Sequence, residues 1–432
     1  MNRKKILAVI LSTAIIGGTF AGCQTSGSGS SEKDTSAQGS GKTELEFFIQ
    51  KKEAVDTFQK VVDDFNQSQD KIVVTQNIVP DSESVLMSRA ATNDLPDIIQ
   101  VGGMQDANTM QFLKEGQFLD LDGMDCLNNV MDNYKESIKY KGKNYVVPIS
   151  ANFSGVYYNQ EMFEKAGYQI PKTYDEMITL AKEIQANGET AFLFPDKDSW
   201  TLMQCWEDNI DGTMRGERRP TYDKIAKGET TYQDDPIYQD SIQKVIDIRQ
   251  YGQGDSLALG YDQAISDFAT GKAYMFMQGI WALPSIMKAN PNLKVGMFSF
   301  PTNDGNGKVS MGIDVNIAVS ASTKNAEAAK EFVNFLASKE MVQKYVDNDY
   351  SIPCMKDVNA NIPAAKEIVD SVNAGNGVLQ TTALPKAVSD QYKNSIQKVI
   401  VPDGGEDANT FLTNLTKVFT ENKEEYLEMY GE

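Results

Sequence analysis

Residues 45–65, LEFFIQKKEAVDTFQKVVDDF, open as a short apolar run and then change period. Leu45 to Gln50 reads as a strand, after which Phe58, Val61, Val62 and Phe65 recur at helical spacing, as one helix face laid on a sheet requires. The alternation continues outward. KIVVTQNIV (71–79) predicts a second strand, and DLPDIIQVGG (94–103) predicts a third that ends at Gly102 and Gly103. A helix over 104–115 stops at Gly116, a C-cap signal. Strands alternating with helices predict an α/β fold with a mainly parallel sheet. Ligands of such sheets bind just beyond the carboxyl ends of the strands.

A second run of the same kind follows NYVVPISANFSGVYYNQ (144–160). Thr173-Tyr174-Asp175-Glu176 has capping-box spacing and opens a helix that ends at Asn187-Gly188. Residues 211–235, rich in charge, Gly, Thr and Pro, read as irregular surface. Helices over about 239–251 and 262–270 precede the strand AYMFM (273–277), and an Ala-rich amphipathic helix lies in TKNAEAAKEFVNFLAS (323–338). The rest, 338–432, reads as mostly helical. Two α/β lobes are the natural organisation for a chain of 432 residues.

The chain has 41 basic and 60 acidic side chains and a net charge of −19. That field repels phosphate backbones and argues against a nucleic-acid partner. It has no histidine, which removes Ser-His-Asp and Cys-His nucleophilic machinery and most zinc and iron sites. No cofactor or metal is expected, and NDGNGK (303–308), lacking regular oxygen spacing and a closing Glu, reads as a turn rather than a calcium loop. Cys126, Cys205 and Cys354 lack metal-ligand spacing and are expected as buried free thiols.

The N-terminus explains the fourth cysteine. Arg3, Lys4 and Lys5 precede an apolar run from Ile6 to Ile16, too short for a permanent bilayer span, which reads as a secretory leader. Phe20-Ala21-Gly22-Cys23 resembles the bacterial lipobox, which implies a signal peptide over 1–22 and lipidation of Cys23. Residues 23–42 are dominated by Ser, Gly, Thr and Gln and cannot bury enough apolar surface to fold, so they read as a flexible tether. The body is therefore expected outside the cytoplasm, held to the cell membrane by lipid.

Four stretches resemble, in order, the hallmark segments of family 1 extracellular solute-binding proteins, the carbohydrate receptors of ABC importers that include maltose-binding protein. They are DLPDIIQVGGMQDANTMQFLKEGQFLDL, VVPISANFSGVYYNQEMFEKAGYQIPKTYDEMITLAKEI, GKAYMFMQGIWALPSI and MGIDVNIAVSASTKNAEAAKEFVNFLAS. The resemblance implies the periplasmic-binding-protein type II fold, with two α/β lobes joined by a multi-segment hinge. It places an N-terminal lobe at 43–151 plus 301–337 and a C-terminal lobe at 152–300 plus 338–432. Crossings are expected near Ser150 to Asn152, Phe300 to Thr302 and Ser338. It also implies a monomer that delivers an oligosaccharide, with α-linked sugars favoured, to importer permeases and breaks no bond. A secreted glycoside hydrolase and a glycan sensor or adhesin without transport are the competing readings.

A sugar offers flat C–H faces and a ring of hydroxyls, so its receptor needs aromatic plates and planar polar side chains. The resemblance places Trp281 and Trp200 as stacking plates. Trp206, six residues beyond Trp200, is open between cleft and core. Asp314, after Gly312 at the mouth of a strand, is the leading carboxylate for paired hydroxyls. Gln50 and Lys51 close the first strand and are expected at the cleft rim, and Gly102 and Gly103 would let a ligand approach the backbone. Asn152 and Gln278 complete the set as hinge-side amides.

Overall fold

A computed structural model describes residues 41–401 and 405–431. The expected signal peptide, Cys23 and all but the end of the expected tether lie outside the described residues. Twelve strands are formed among the described residues: β1 (Thr43–Phe48), β2 (Ile72–Asn77), β3 (Ile98–Val101), β4 (Lys139–Tyr140), β5 (Lys143–Asn144), β6 (Val146–Asn159), β7 (Phe192–Leu193), β8 (Met275–Gly279), β9 (Val295–Phe298), β10 (Val309–Val319), β11 (Ile352–Pro353) and β12 (Gly377–Leu379). The main sheet runs β2-β1-β3-β10-β6-β8-β7, with β9 and β11 also on β6 and β12 on β10.

The opening stretch does what its periods require. β1 pairs in parallel with β2 and β3, and the helix Val55–Ser68 between β1 and β2 buries Phe58, Val61, Val62 and Phe65. Phe47 of β1 meets the edge of Phe58 at 5.2 Å, and Phe65 meets Phe332 at 5.1 Å. Each such apolar side chain contributes about 1.5–3 kcal/mol by burial. The capping box at Thr173 forms with both of its hydrogen bonds. Gly116 and Gly188 adopt φ of +67° and +78° at helix ends, where glycine carries no Cβ penalty.

The sheet is mixed rather than mainly parallel, because β6 and β10 run antiparallel to each other and to their other main-sheet neighbours, β8 and β3. β6 spans the molecule. Val146 to Phe153 pair with β10, whereas Ser154 to Asn159 pair with β8 or β9. On β8 the alternation divides two cores: Phe276 joins the core of β1–β3, while Met275 and Met277 join a second core containing Trp206, Tyr238, Ile242 and Phe411.

Two sequence expectations need correction. Ser338 does not carry the chain out of the first core. The helix Lys339–Asp349 presents Met341, Val342, Tyr345 and Val346 to that core, with Tyr345 4.8 Å from Phe58. β11 then pairs with β6 at Ser150 and Ala151, and past Ser338 the chain returns to the second core only from Leu384 and Val388 onward. Residues 211–235 are not wholly irregular. The helix Met203–Met214 extends into them, and Arg219–Ala226 forms another, started by a proline in its first turn and anchored by buried Tyr222 and Ile225. Cys126, Cys205 and Cys354 are buried free thiols, and burial pushes the Cys126 thiol up to about 11 and that of Cys205 to about 12.

Candidate functional site

Where the two halves of β6 meet, Asn152, Phe153 and Ser154 line a cavity of about 240 Å³. β10 supplies residues 310–314 to its wall, the Met203–Met214 helix supplies Gln204, Trp206 and Glu207, and Trp281 comes from the turn after β8. Strand ends, a helix face and a turn thus converge on one space from both cores.

Trp281 is placed by a glycine. A Cβ built on Gly279 would lie 2.0 Å from the Trp281 ring, so only glycine lets the indole fold back over its own strand end. Gly279 is fixed in turn by the Tyr157 hydroxyl, which donates to its carbonyl at 2.9 Å. Trp200 lies 6.5 Å from Trp281 and 4.9 Å from Tyr261, but it lines an outer groove with Lys197 and Asp198 rather than the cavity. Trp206 reaches the cavity wall yet is only 3 % exposed, boxed by Tyr238, Tyr392 and Phe411. Its bulk belongs to the second core.

Asn152 sits opposite Gly312 in the β6–β10 ladder. It is 3 % exposed, and neither its amide nitrogen nor its amide oxygen has a hydrogen-bond partner. Buried polar groups are nearly always paired; here both ends of the amide lack a protein partner. Asp314 also faces the cavity and is held by Lys51, whose ammonium lies 2.7 Å from Asp314 and 2.8 Å from Asp349. Burial works against the Lys51 charge, but Asp314 and Asp349 prevail and raise its pKa well above the usual lysine value.

The remaining sequence candidates lie beside the cavity and not on its wall. Gln50 is engaged by Gln100: its backbone N–H donates to Gln100 Oε1 at 2.9 Å and its side chain donates to the Gln100 carbonyl at 3.0 Å. Lys51 acts on the cavity only through Asp314. Gln278 is buried, with Oε1 accepting from Gly279 N–H and Nε2 unpartnered. Gly102 gives its carbonyl to Asn316 Nδ2 at 2.8 Å. Gly103 makes room for Gln105, whose Oε1 would lie 2.2 Å from an added Cβ. Both glycines admit neighbouring side chains.

Sequence reasoning missed a polar cluster on one helix face. Gln204, Glu207, Asp208 and Asp211 fall at successive helical turns of Met203–Met214, and that spacing was the available signal. Arg218 donates to both oxygens of Asp211, at 2.6 and 2.7 Å, and to Glu207 at 3.3 Å. The Ser154 hydroxyl donates to Asp208 and the Ser310 hydroxyl to Asp211. Burial pushes the carboxyls of Asp208 and Glu207 upward, Asp208 well above the ordinary range. Carboxylates, amides and hydroxyls beside an indole can accept and donate to a polyol while an apolar ring face rests on the aromatic plate.

Three ion pairs link elements far apart in sequence. Lys52 lies 2.7 Å from Asp262, Lys288 3.1 Å from Asp56, and Lys114 3.2 Å from Glu425. Such solvent-facing pairs contribute about 0–1 kcal/mol each.

A mixed α/β body with two cores and a polar, aromatic cavity between them has the build of a solute receptor. Residues 51–343 match the family described as bacterial extracellular solute-binding protein, and the chain belongs to that family. It is 31 % identical over 359 residues to the multiple sugar-binding protein of Streptococcus mutans, covering 82 % of each chain. It is 25 % identical over 296 residues to the melibiose/raffinose/stachyose-binding protein MelE of Bacillus subtilis, covering 65 % of this chain and 67 % of that one. Among solved structures, RafE in complex with raffinose superposes with a TM-score of 0.78 at 28 % identity, over 88 % of this chain and 100 % of RafE. The apo form of RafE from Streptococcus pneumoniae, also 28 % identical, superposes at 0.71 over 89 % and 99 %. Members of the family are extracellular, which puts the site outside the cytoplasm.

Proposed function

We propose that this protein captures a neutral oligosaccharide of the raffinose type between its two lobes and hands it, unbroken, to the permease of an ABC importer. The observation that carries this reading is the amide of Asn152, buried and unpartnered at both ends in the same cavity as Trp281 and Asp314. An oligosaccharide would pair that amide with hydroxyls and rest a ring on Trp281. Relatives named for raffinose and stachyose binding support this choice of ligand.

Ligand binding would stabilise the closed arrangement by its differential affinity for it. The moving parts are the lobes on either side of Phe153 and Ser154, with β6, the 300–309 segment and the stretch between β11 and Val388 as crossings. Cys23 would carry the lipid that keeps the receptor at the membrane, and the protein acts as a monomer. A thermal-shift panel of α-galactosides, maltodextrins, xylo-oligomers and cello-oligomers tests the proposal. A ligand at a hundred times its Kd adds about 2.7 kcal/mol of stability. Raffinose or stachyose should raise Tm and be recovered intact by chromatography. Shortened products would make the protein a hydrolase, and a panel with no shift would remove the oligosaccharide reading.

A further inference from the structure

The charges around the cavity are unbalanced in a way that bears on which sugars it admits. Among the described residues Arg218 is the sole cation on the cavity wall. Its guanidinium already spends three hydrogen bonds on Asp211 and Glu207. The next nearest cation by function, Lys51, is bridged between Asp314 and Asp349. Each cation is thus matched by two carboxylate partners, and Glu207 and Asp314 themselves line the cavity.

We propose that Glu207 and Asp211 act as a charge filter: by occupying Arg218 they make the cavity reject sugars that carry a carboxylate or phosphate. The inference rests on the reading of the protein as an oligosaccharide receptor. An entering carboxylate would meet Glu207 and Asp314 and find the one wall cation already matched by two carboxylates, and like-charge juxtaposition in a desolvated site is strongly unfavourable. A neutral polyol meets no such penalty, because its hydroxyls can donate to the same oxygens. Glu207 is the adjustable member. It holds Arg218 by one long contact, whereas Asp211 holds it by two short ones. Replacing Glu207 by Gln removes one charge and loosens one hold on Arg218 while keeping the side chain's shape.

Titration calorimetry with raffinose and with raffinose whose primary hydroxyls are oxidised to carboxylates tests the filter. On the unaltered protein the oxidised sugar should bind at least ~100-fold more weakly than raffinose. In Glu207→Gln the gap should narrow by at least ~10-fold. Equal binding of the two sugars by the unaltered protein overturns the filter and needs no variant. An unchanged gap in a folded Glu207→Gln overturns the role of Glu207. Failure of every neutral oligosaccharide to bind is a different result, and it removes the functional reading along with the filter.

Discussion

Asn152→Ala separates binding from folding. The side chain has two donor and two acceptor positions, and no protein group pairs with either amide atom. Truncation therefore breaks no internal hydrogen bond and removes only a small side chain beside an existing cavity. The backbone of residue 152 stays in the ladder opposite Gly312. Urea unfolding of the ligand-free variant should differ from the parent by less than about 1 kcal/mol, below the usual cost of a change in a packed core. Ligand affinity should suffer much more. Two neutral hydrogen bonds at about 0.5–1.5 kcal/mol each sum to about 1–3 kcal/mol, a rise of roughly 5- to 150-fold in Kd. Calorimetry with raffinose on parent and variant measures it. The reasoning is refuted if affinity is unchanged, or if the ligand-free variant loses more than about 2 kcal/mol, since Asn152 would then be a structural amide.

Three further outcomes follow from the geometry. Trp281→Ala should abolish the ligand-induced thermal shift in a protein that still unfolds cooperatively, whereas Trp206→Ala, removing a core indole packed by Tyr238, Tyr392 and Phe411, should cost about 3–5 kcal/mol; the reverse assignment would show as a binding loss in the second and a stability loss in the first. Lys51→Met leaves Asp349, 0 % exposed, without its cation and should cost about 3–5 kcal/mol in urea unfolding; a loss under 1 kcal/mol would mean that the bridge is not formed. Because burial raises the Asp208 carboxyl well above its usual range, the native state holds a proton that the unfolded chain releases, and stability falls as pH rises from the ordinary carboxylate range towards the raised value. Asp208→Asn keeps an acceptor for Ser154 and cannot ionise, so its gain in Tm over the parent should be larger at about pH 8 than at about pH 4, and equal gains at both would refute the shift.

Local pattern was enough for the elements that position the site. The apolar face 58/61/62/65, the capping box at Thr173 and the strand leading to Trp281 are each encoded within a few residues, and each formed as read. What escaped was set by partners distant in sequence. Lys51 looks like a rim cation until Asp349, 298 positions away, is seen to claim it. Gln50 looks free until Gln100 arrives from the neighbouring β3. Gln204, Glu207, Asp208 and Asp211 carry no mark of burial in the sequence, because acidic residues are most often exposed; here that helix face is turned inward and neutralised in part by Arg218. The helix after Ser338 shows the same limit, since an apolar stripe says that a face is buried but not against which core. Trp206 was undecidable for that reason, as an indole six residues from another carries no mark of which space it fills.

The central claim is that a sugar lies between the two lobes, on the indole of Trp281 and in reach of Asn152 and Asp314. A crystal structure of the protein grown with the oligosaccharide that gives the largest thermal shift tests it most directly. The predicted result is a sugar ring stacked on Trp281, with hydroxyls within hydrogen-bond distance of the Asn152 amide and the Asp314 carboxylate. Sugar density in the Trp200 groove or elsewhere on the surface, with the Asn152 amide untouched by ligand, would contradict it.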